Sequence, residues 1–112
     1  MKIESYEFGR IIIDGKEYTR DLIILGDKII SNWWREEGHF LQIVDALYVF
    51  EFKPEVLIIG TGANGLMKVS DDLIKKLQEE KIDYYILKTK DAVKKFNEIE
   101  NKKKAALFHL TC

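Results

Sequence analysis

Glu55-Val56-Leu57-Ile58-Ile59-Gly60-Thr61-Gly62-Ala63-Asn64-Gly65 is the stretch that decides the fold. An apolar, β-branched run delivered into a cluster of glycines reads as a buried strand followed by a tight turn. Downstream, Ser70 is a good helix N-cap, and Asp71 and Asp72 suit the positive end of the helix dipole. Leu73, Ile74 and Leu77 form that helix's inward stripe, with Lys75, Lys76, Glu79 and Glu80 facing water. Ile82-Asp83-Tyr84-Tyr85-Ile86-Leu87 is the next strand. Thr89 then opens a second helix as its cap, with Ala92, Val93, Phe96 and Ile99 facing inward. Ala105-Ala106-Leu107-Phe108-His109-Leu110 closes the series as a final strand. Strand, helix, strand, helix, strand means βαβ units, so these three strands are expected parallel with right-handed crossovers.

Upstream the pattern changes. Arg10-Ile11-Ile12-Ile13 and Lys16-Glu17-Tyr18-Thr19 flank Asp14-Gly15, a pair that tolerates positive φ and so favours a two-residue hairpin turn. Leu22-Ile23-Ile24-Leu25 is an apolar run closed by Gly26-Asp27, and Lys28-Ile29-Ile30-Ser31 follows as another strand. Asn32 to Gly38 reads as a loop. Phe40, Leu41, Ile43, Val44, Leu47 and Tyr48 recur at helical spacing with Asp45 on the opposite side, and this helix must stop before Pro54. A strand through Leu47-Tyr48-Val49-Phe50 is the alternative for its second half. The expected architecture is α/β: a three-layer fold around a mixed sheet, with parallel βαβ units in the C-terminal half and an antiparallel N-terminal hairpin extending it. Residues 1–112 are expected to form a single domain, with no repeat, linker or low-complexity segment.

Composition narrows the function classes. Eighteen basic and nineteen acidic residues leave a net charge of −1, so no global field draws the chain to nucleic acid or to a membrane surface. No stretch approaches the ~20 apolar residues of a bilayer span, and Met1-Lys2-Ile3-Glu4 does not begin a secretory signal. The one cysteine, Cys112, allows no intrachain disulfide, so a cytoplasmic location is expected. The abundance of Lys and Glu over Asn and Gln is a composition common in heat-adapted proteins.

Several segments in this order resemble one family: Gly15-Lys16-Glu17-Tyr18, Asp21-Leu22, the Trp34-Arg35 loop, Pro54 through Gly62, and Phe108-His109-Leu110-Thr111-Cys112. Together they are similar to the adipogenesis-associated, archaeal-type proteins of unknown function, whose relatives include a mitochondrial complex I assembly factor. The resemblance spans nearly the whole chain. It implies a three-layer α/β fold around a mixed sheet and brings no enzymatic activity with it. Roles in complex I assembly or fat-cell differentiation belong to the animal relatives.

Four groups of residues invite a functional reading. Gly60 to Gly65 fits G-x-G-x-x-G after a strand, but Leu66-Met67-Lys68-Val69 separates it from the Ser70 cap, and Asp83 opens its strand where a ribose-binding carboxylate would end one. A dinucleotide is therefore not expected. The amides around Gly60, Thr61 and Gly62, with the Thr61 hydroxyl, suit a nest for a small anion, although a plain tight turn needs the same glycines. In Trp33-Trp34-Arg35-Glu36, one tryptophan should lie partly exposed. Arg35 either presents its planar fork to a carboxylate or phosphate or pairs with Glu36 or Glu37. His109 and Cys112 sit three apart on an extended segment, about 10 Å from each other and on opposite faces, which argues against a nucleophile pair. Lys102-Lys103-Lys104, with Lys94 and Lys95 nearby, reads as a solvated helix end rather than a docking patch.

No metal or cofactor is expected. Two functions remain. The favoured one is a non-catalytic protein-interaction or assembly-helper domain, through a partner or by self-association. It rests on the Trp-Arg loop, on edge strands expected near the N-terminus, and on the lack of a nucleophile and base pair. The alternative is a small anionic-ligand-binding domain or enzyme built from Gly60, Thr61, Gly62, Trp34, Arg35 and His109, and it depends on those segments converging.

Overall fold

The computed structural model describes residues 1–112. Its ten strands are β1 (Ile3–Glu7), β2 (Arg10–Ile13), β3 (Lys16–Tyr18), β4 (Leu22–Leu25), β5 (Lys28–Ser31), β6 (Phe40–Leu41), β7 (Val56–Thr61), β8 (Lys68–Val69), β9 (Asp83–Leu87) and β10 (Lys104–His109). The helices are α1 (Leu47–Phe52), α2 (Asp71–Glu79) and α3 (Thr89–Glu98), with a 3-10 turn at Ile43–Ala46. The central sheet has the order β5-β4-β10-β7-β9. As the βαβ pattern requires, β7 runs parallel to both β10 and β9, while β4 and β5 join antiparallel.

Period-two alternation divides the sheet's side chains into two cores. Ile23, Leu57, Ile59, Ala105 and Leu107 face α1 and α2, with Leu73, Leu77, Val49 and Trp33 packed on them. Leu22, Ile24, Val56, Ile58, Ala106 and Phe108 face the other way, onto Ala92, Val93 and Phe96 of α3 and onto Ile3, Ile11 and Ile13. Burying both faces explains why Val56–Thr61 reads as an unbroken apolar run. Each fully buried Ile or Leu contributes about 1.5–3 kcal/mol.

The Asp14-Gly15 hairpin forms as expected, with φ of 49° and 81° at the two positions. It acquires a third strand, β1, and stands as a separate three-stranded sheet on the α3 side instead of extending the central one. Asn97 of α3 brackets Ile3, accepting from its amide at 3.0 Å and donating to its carbonyl at 2.8 Å.

Three local expectations change. Phe40 and Leu41 leave the helical pattern and pair in parallel with Lys68 and Val69, so helix begins only at the 3-10 turn and ends at Phe52. Asp45 is buried instead of facing water. Its carboxylate accepts from the Glu36 amide at 3.1 Å and the Gln42 amide at 2.9 Å, which anchors the loop before it. Lys88, not Thr89, is the N-cap of α3, because the Thr89 hydroxyl is used elsewhere in the core. The Ser70 cap is as read, accepting from the Leu73 amide at 3.1 Å.

The lysine cluster follows α3, and its last member, Lys104, begins β10 and is half-buried instead of solvated. Lys104 Nζ donates to the carbonyls of Phe96 and Ile99 and lies 4.0 Å from the centre of the Phe96 ring. Burial pulls its pKa down, and nearby Glu100 partly opposes this. Lys104→Met keeps the apolar stem and removes both charge-assisted bonds, so urea denaturation should show a loss of about 1–3 kcal/mol. Lys102→Met, at an exposed position, should stay within about 0.5 kcal/mol of the parent.

Candidate functional site

The antiparallel register of β4 on β10 pairs Leu22 with Phe108. Asp21, just before β4, therefore lies beside His109 and Leu110 at the end of β10. The loop after β5 brings in a third group. Trp33 is buried, its indole Nε1 donating to the Asp45 carbonyl at 3.0 Å, and its amide donates to the Asp21 carbonyl at 2.9 Å. This anchor places Arg35 with its guanidinium 4.7 Å from the Trp33 ring and its Nε donating to the Gly38 carbonyl at 2.9 Å.

The result is a cluster of three side chains from distant parts of the chain. Asp21 Oδ2 accepts from Arg35 Nη2 at 2.9 Å and lies 2.8 Å from His109 Nδ1. Asp21 Oδ1 accepts from the Leu110 amide at 2.7 Å. Facing a carboxylate, Nδ1 carries a hydrogen and donates it, so the 3.2 Å approach of Arg35 Nη2 to Nδ1 brings two donors to one acceptor. Burial opposes the charge on Asp21. The bond from His109, the Leu110 amide, the nearby imidazole and Arg35 outweigh it and hold the carboxyl below its ordinary value. Tyr6 stands close by, its hydroxyl donating to the Leu110 carbonyl at 2.7 Å. Burial, helped by the Asp21 charge, pushes that phenol up.

Two polar atoms in the cluster are sealed from solvent without a partner: Arg35 Nη1 and His109 Nε2. Their side chains are 5% and 6% exposed, and buried polar groups are nearly always satisfied. His39 lies edge-on to His109 at 5.6 Å between ring centres. No three His, Cys, Asp or Glu side chains are grouped as a metal set.

Above the cluster opens a cleft of about 350 Å³, lined by Thr19, Arg20, Asp21, Asn32, Trp33, Trp34, Arg35, Gly38 and Thr111. Trp34 is the exposed member of the tryptophan pair, at 80%. Arg20 is exposed and takes part in no ion pair. Arg35 pairs with Asp21, not with Glu36 or Glu37.

The glycine loop lies behind His109. The Gly62 amide donates to Thr89 Oγ1 at 2.8 Å, and that hydroxyl donates to the His109 carbonyl at 2.6 Å. Thr61 Oγ1 donates to the Leu87 carbonyl at 3.1 Å. The Ala63 amide donates to the Thr111 carbonyl at 2.7 Å, and the amides of Asn64 and Leu66 to the Cys112 carbonyl. The amides of Ala63, Asn64 and Leu66 thus hold residues 111 and 112, while that of Gly62 is taken by Thr89. A methyl group built on Gly62 would fall 2.8 Å from His109 Cδ2 and closer still to the Cys112 backbone. The terminal segment therefore bends back toward His109 instead of running on extended. Gly60 is equally enclosed, by Thr89 and Phe108.

Arg35 and His109 meet, Trp34 stands at the cleft mouth, and Gly60, Thr61 and Gly62 form the rear support. Sequence reasoning missed Asp21, which joins them, and Arg20. Asp21 and Arg35 fall within the segments that carry the family resemblance, and that shared placement was the available signal.

Fold and site together define a three-layer α/β protein whose buried carboxylate, guanidinium and imidazole lie under a cleft. The chain belongs to the DUF498/DUF598 family of proteins of unknown function, which it matches over residues 3–109. It is similar to a conserved hypothetical protein from Pyrococcus horikoshii, at 32% identity over the whole of both chains with a TM-score of 0.81. A protein from Bartonella henselae, described as an outer membrane protein, is 26% identical over 98% of this chain and 94% of its own, with a TM-score of 0.82. A Xanthomonas campestris protein shares the fold at 16% identity, over 96% of this chain and 83% of its own, with a TM-score of 0.83. In this chain no helix is long and apolar enough to cross a membrane.

Proposed function

We propose that the chain binds a small organic anion, a carboxylate or phosphate ester carrying a planar apolar group, in the cleft between Arg20 and the Trp34-Arg35 loop. One observation carries this reading: Arg20, exposed and in no ion pair, lines one cleft with Arg35 and an exposed indole. Arginine's planar fork matches carboxylate and phosphate geometry, and a tryptophan face offers stacking area. In this reading Arg20 and Arg35 take the anionic group and Trp34 covers the ring. His109 fixes Asp21, which orients Arg35, and Gly60, Thr61 and Gly62 support His109 from behind. A thermal-shift panel of aromatic carboxylates and aryl phosphates should give a rise in Tm that grows with concentration. Arg20→Ala should weaken that binding about tenfold or more, the value of a charge-assisted hydrogen bond. A panel that leaves Tm unchanged at millimolar concentration, or a rise that Arg20→Ala does not alter, would overturn the proposal.

A second observation favours the non-catalytic interaction reading. Trp34, Val44, Leu47 and Tyr48, exposed at 80, 49, 56 and 54%, line one groove that ends at Glu51. With Glu51 exposed in its lining, the groove suits a protein segment presenting apolar side chains flanked by Lys or Arg, the kind of contact an assembly helper makes. A basic amphipathic peptide should change Trp34 fluorescence, and Leu47→Lys, which removes the apolar contact and adds a like charge, should abolish that change. An unaltered titration in Leu47→Lys would count against this use of the face.

A further inference from the structure

Among the four outer strands of the three- and five-stranded sheets, all but one carry a lysine, an irregularity or a bracketing side chain that discourages pairing with another chain. In the small sheet, β3 is three residues long and begins with Lys16, while β1 is irregular between Ile3 and Ser5 and is bracketed by Asn97. On the central sheet, the β5 edge opens with Lys28. The other edge, β9, reads Asp83-Tyr84-Tyr85-Ile86-Leu87: no proline, no lysine, a continuous register with β7, and side chains of high strand propensity. Tyr85 and Ile86 are left 39% and 37% exposed.

The backbone phase of β9 makes this edge self-complementary. The Asp83 amide donates to the Glu55 carbonyl at 3.0 Å, and the Leu87 carbonyl accepts from Thr61 on the β7 side. Asp83, Tyr85 and Leu87 therefore turn their peptide groups toward β7, and Tyr84 and Ile86 turn theirs to the open side. These two flank Tyr85 symmetrically. With a two-fold axis at Tyr85, Tyr84 of one copy exchanges both backbone hydrogen bonds with Ile86 of the other, and the reverse holds as well. Each Tyr84 ring then lies opposite a β-branched Ile86, and Tyr85 meets its own counterpart. An open groove along this edge, lined by Gln78, Lys81, Asp83, Tyr84 and Tyr85, leaves room for the approach. Lys95, 5.0 Å from the centre of the Tyr85 ring, is paired with Glu98 and brings no uncompensated charge to the axis.

We infer that β9 pairs antiparallel with β9 of a second copy about a two-fold axis through Tyr85, joining two central sheets into one. A symmetric, self-complementary patch of this kind is what an isologous dimer requires. This interface is on the opposite edge of the sheet from β5 and is independent of the cleft reading.

Sedimentation of the full chain at about 100 μM should show dimer, as expected for an interface of modest size. Ile86→Lys, which sets a charge in the edge, should weaken association by about tenfold or more while leaving the folded spectrum unchanged. Position matters more than affinity. In a Cys112→Ser background, Tyr85→Cys places two thiols across the axis in a non-hydrogen-bonded pair, where Cα atoms are about 4.5 Å apart and a disulfide can close. Mild oxidation should link Tyr85→Cys into a dimer and leave Ile86→Cys, which faces Tyr84, far less linked. A chain that stays monomeric at millimolar concentration would overturn the inference. So would a dimer that persists in Ile86→Lys, or one that links through position 86 in preference to 85.

Discussion

Gly62→Ala is expected to lower stability by about 3–5 kcal/mol, among the largest effects available to a single methyl group. Two costs coincide there. The residue has φ of +103°, a conformation that costs an L side chain about 1–3 kcal/mol. The new Cβ would also press on the Cys112 backbone and on His109 Cδ2, and overpacking against atoms that cannot yield adds about 1–3 kcal/mol. Two other glycines separate the terms. Gly15→Ala has open space but φ of +81°, so it should lose only about 1–2 kcal/mol. Gly38→Ala meets nothing and has no positive φ, so it should remain within about 0.5 kcal/mol. Urea denaturation of the three variants gives the ranking. If Gly62→Ala is as mild as Gly15→Ala, the packing of residues 109–112 against the glycine loop is wrong.

Much of the architecture was legible because its signals are local. Val56–Thr61 announces a strand buried on both faces, Asp14-Gly15 announces its turn, and Ser70 announces a helix start. Each depends on chemistry within a few residues. The segment from Phe40 to Phe52 was not legible in this way. Its apolar residues do recur at helical spacing, but Phe40 and Leu41 find a parallel partner at Lys68 and Val69, and a pairing across that distance leaves no mark in the periodicity of either piece. Strand β1 is hidden for a similar reason. Its fit depends on Asn97, 94 residues away, and Ile3-Glu4-Ser5-Tyr6-Glu7 has little apolar alternation of its own.

The candidate site divides along the same line. Arg35 and His109 could be picked out by their chemistry, and the exposure of one tryptophan followed from two being adjacent. Asp21 could not be picked out. Before folding it is one acidic residue among nineteen, and only the β4–β10 register makes it the shared acceptor of groups 14 and 88 positions away. The glycine loop shows the converse. Its composition suits an anion, yet the Thr89 hydroxyl takes the Gly62 amide and residues 111 and 112 take those of Ala63, Asn64 and Leu66, and no spacing rule reveals competitors so distant in sequence.

Asp21→Asn tests that shared acceptor, and its effects on stability and binding should have opposite signs. The substitution keeps the shape but leaves Arg35 buried without a counter-charge, which near neutral pH should cost about 3 kcal/mol. The pH dependence identifies the cause. The folded carboxyl titrates below its ordinary value of 3.8, so its contribution is fully present above that value and is lost as pH falls through the lower, folded pKa. The gap between parent and variant should therefore hold steady from neutral pH down to about 4 and narrow as acidification protonates Asp21 in the parent. Denaturation curves collected across that range measure it, and a gap independent of pH would assign the loss to packing instead of charge. Binding should move the other way. Asp21 supplies the negative charge lining the cleft beside Arg20 and Arg35, so removing it frees the Arg35 guanidinium from its internal partner and strengthens the field on an incoming anion. A folded Asp21→Asn protein should bind an aromatic carboxylate several-fold more tightly than the parent. A residue retained only for stability would make its variant weaker on both counts, whereas a variant less stable but tighter binding identifies Asp21 as the group that sets how much of the Arg35 charge the cleft presents.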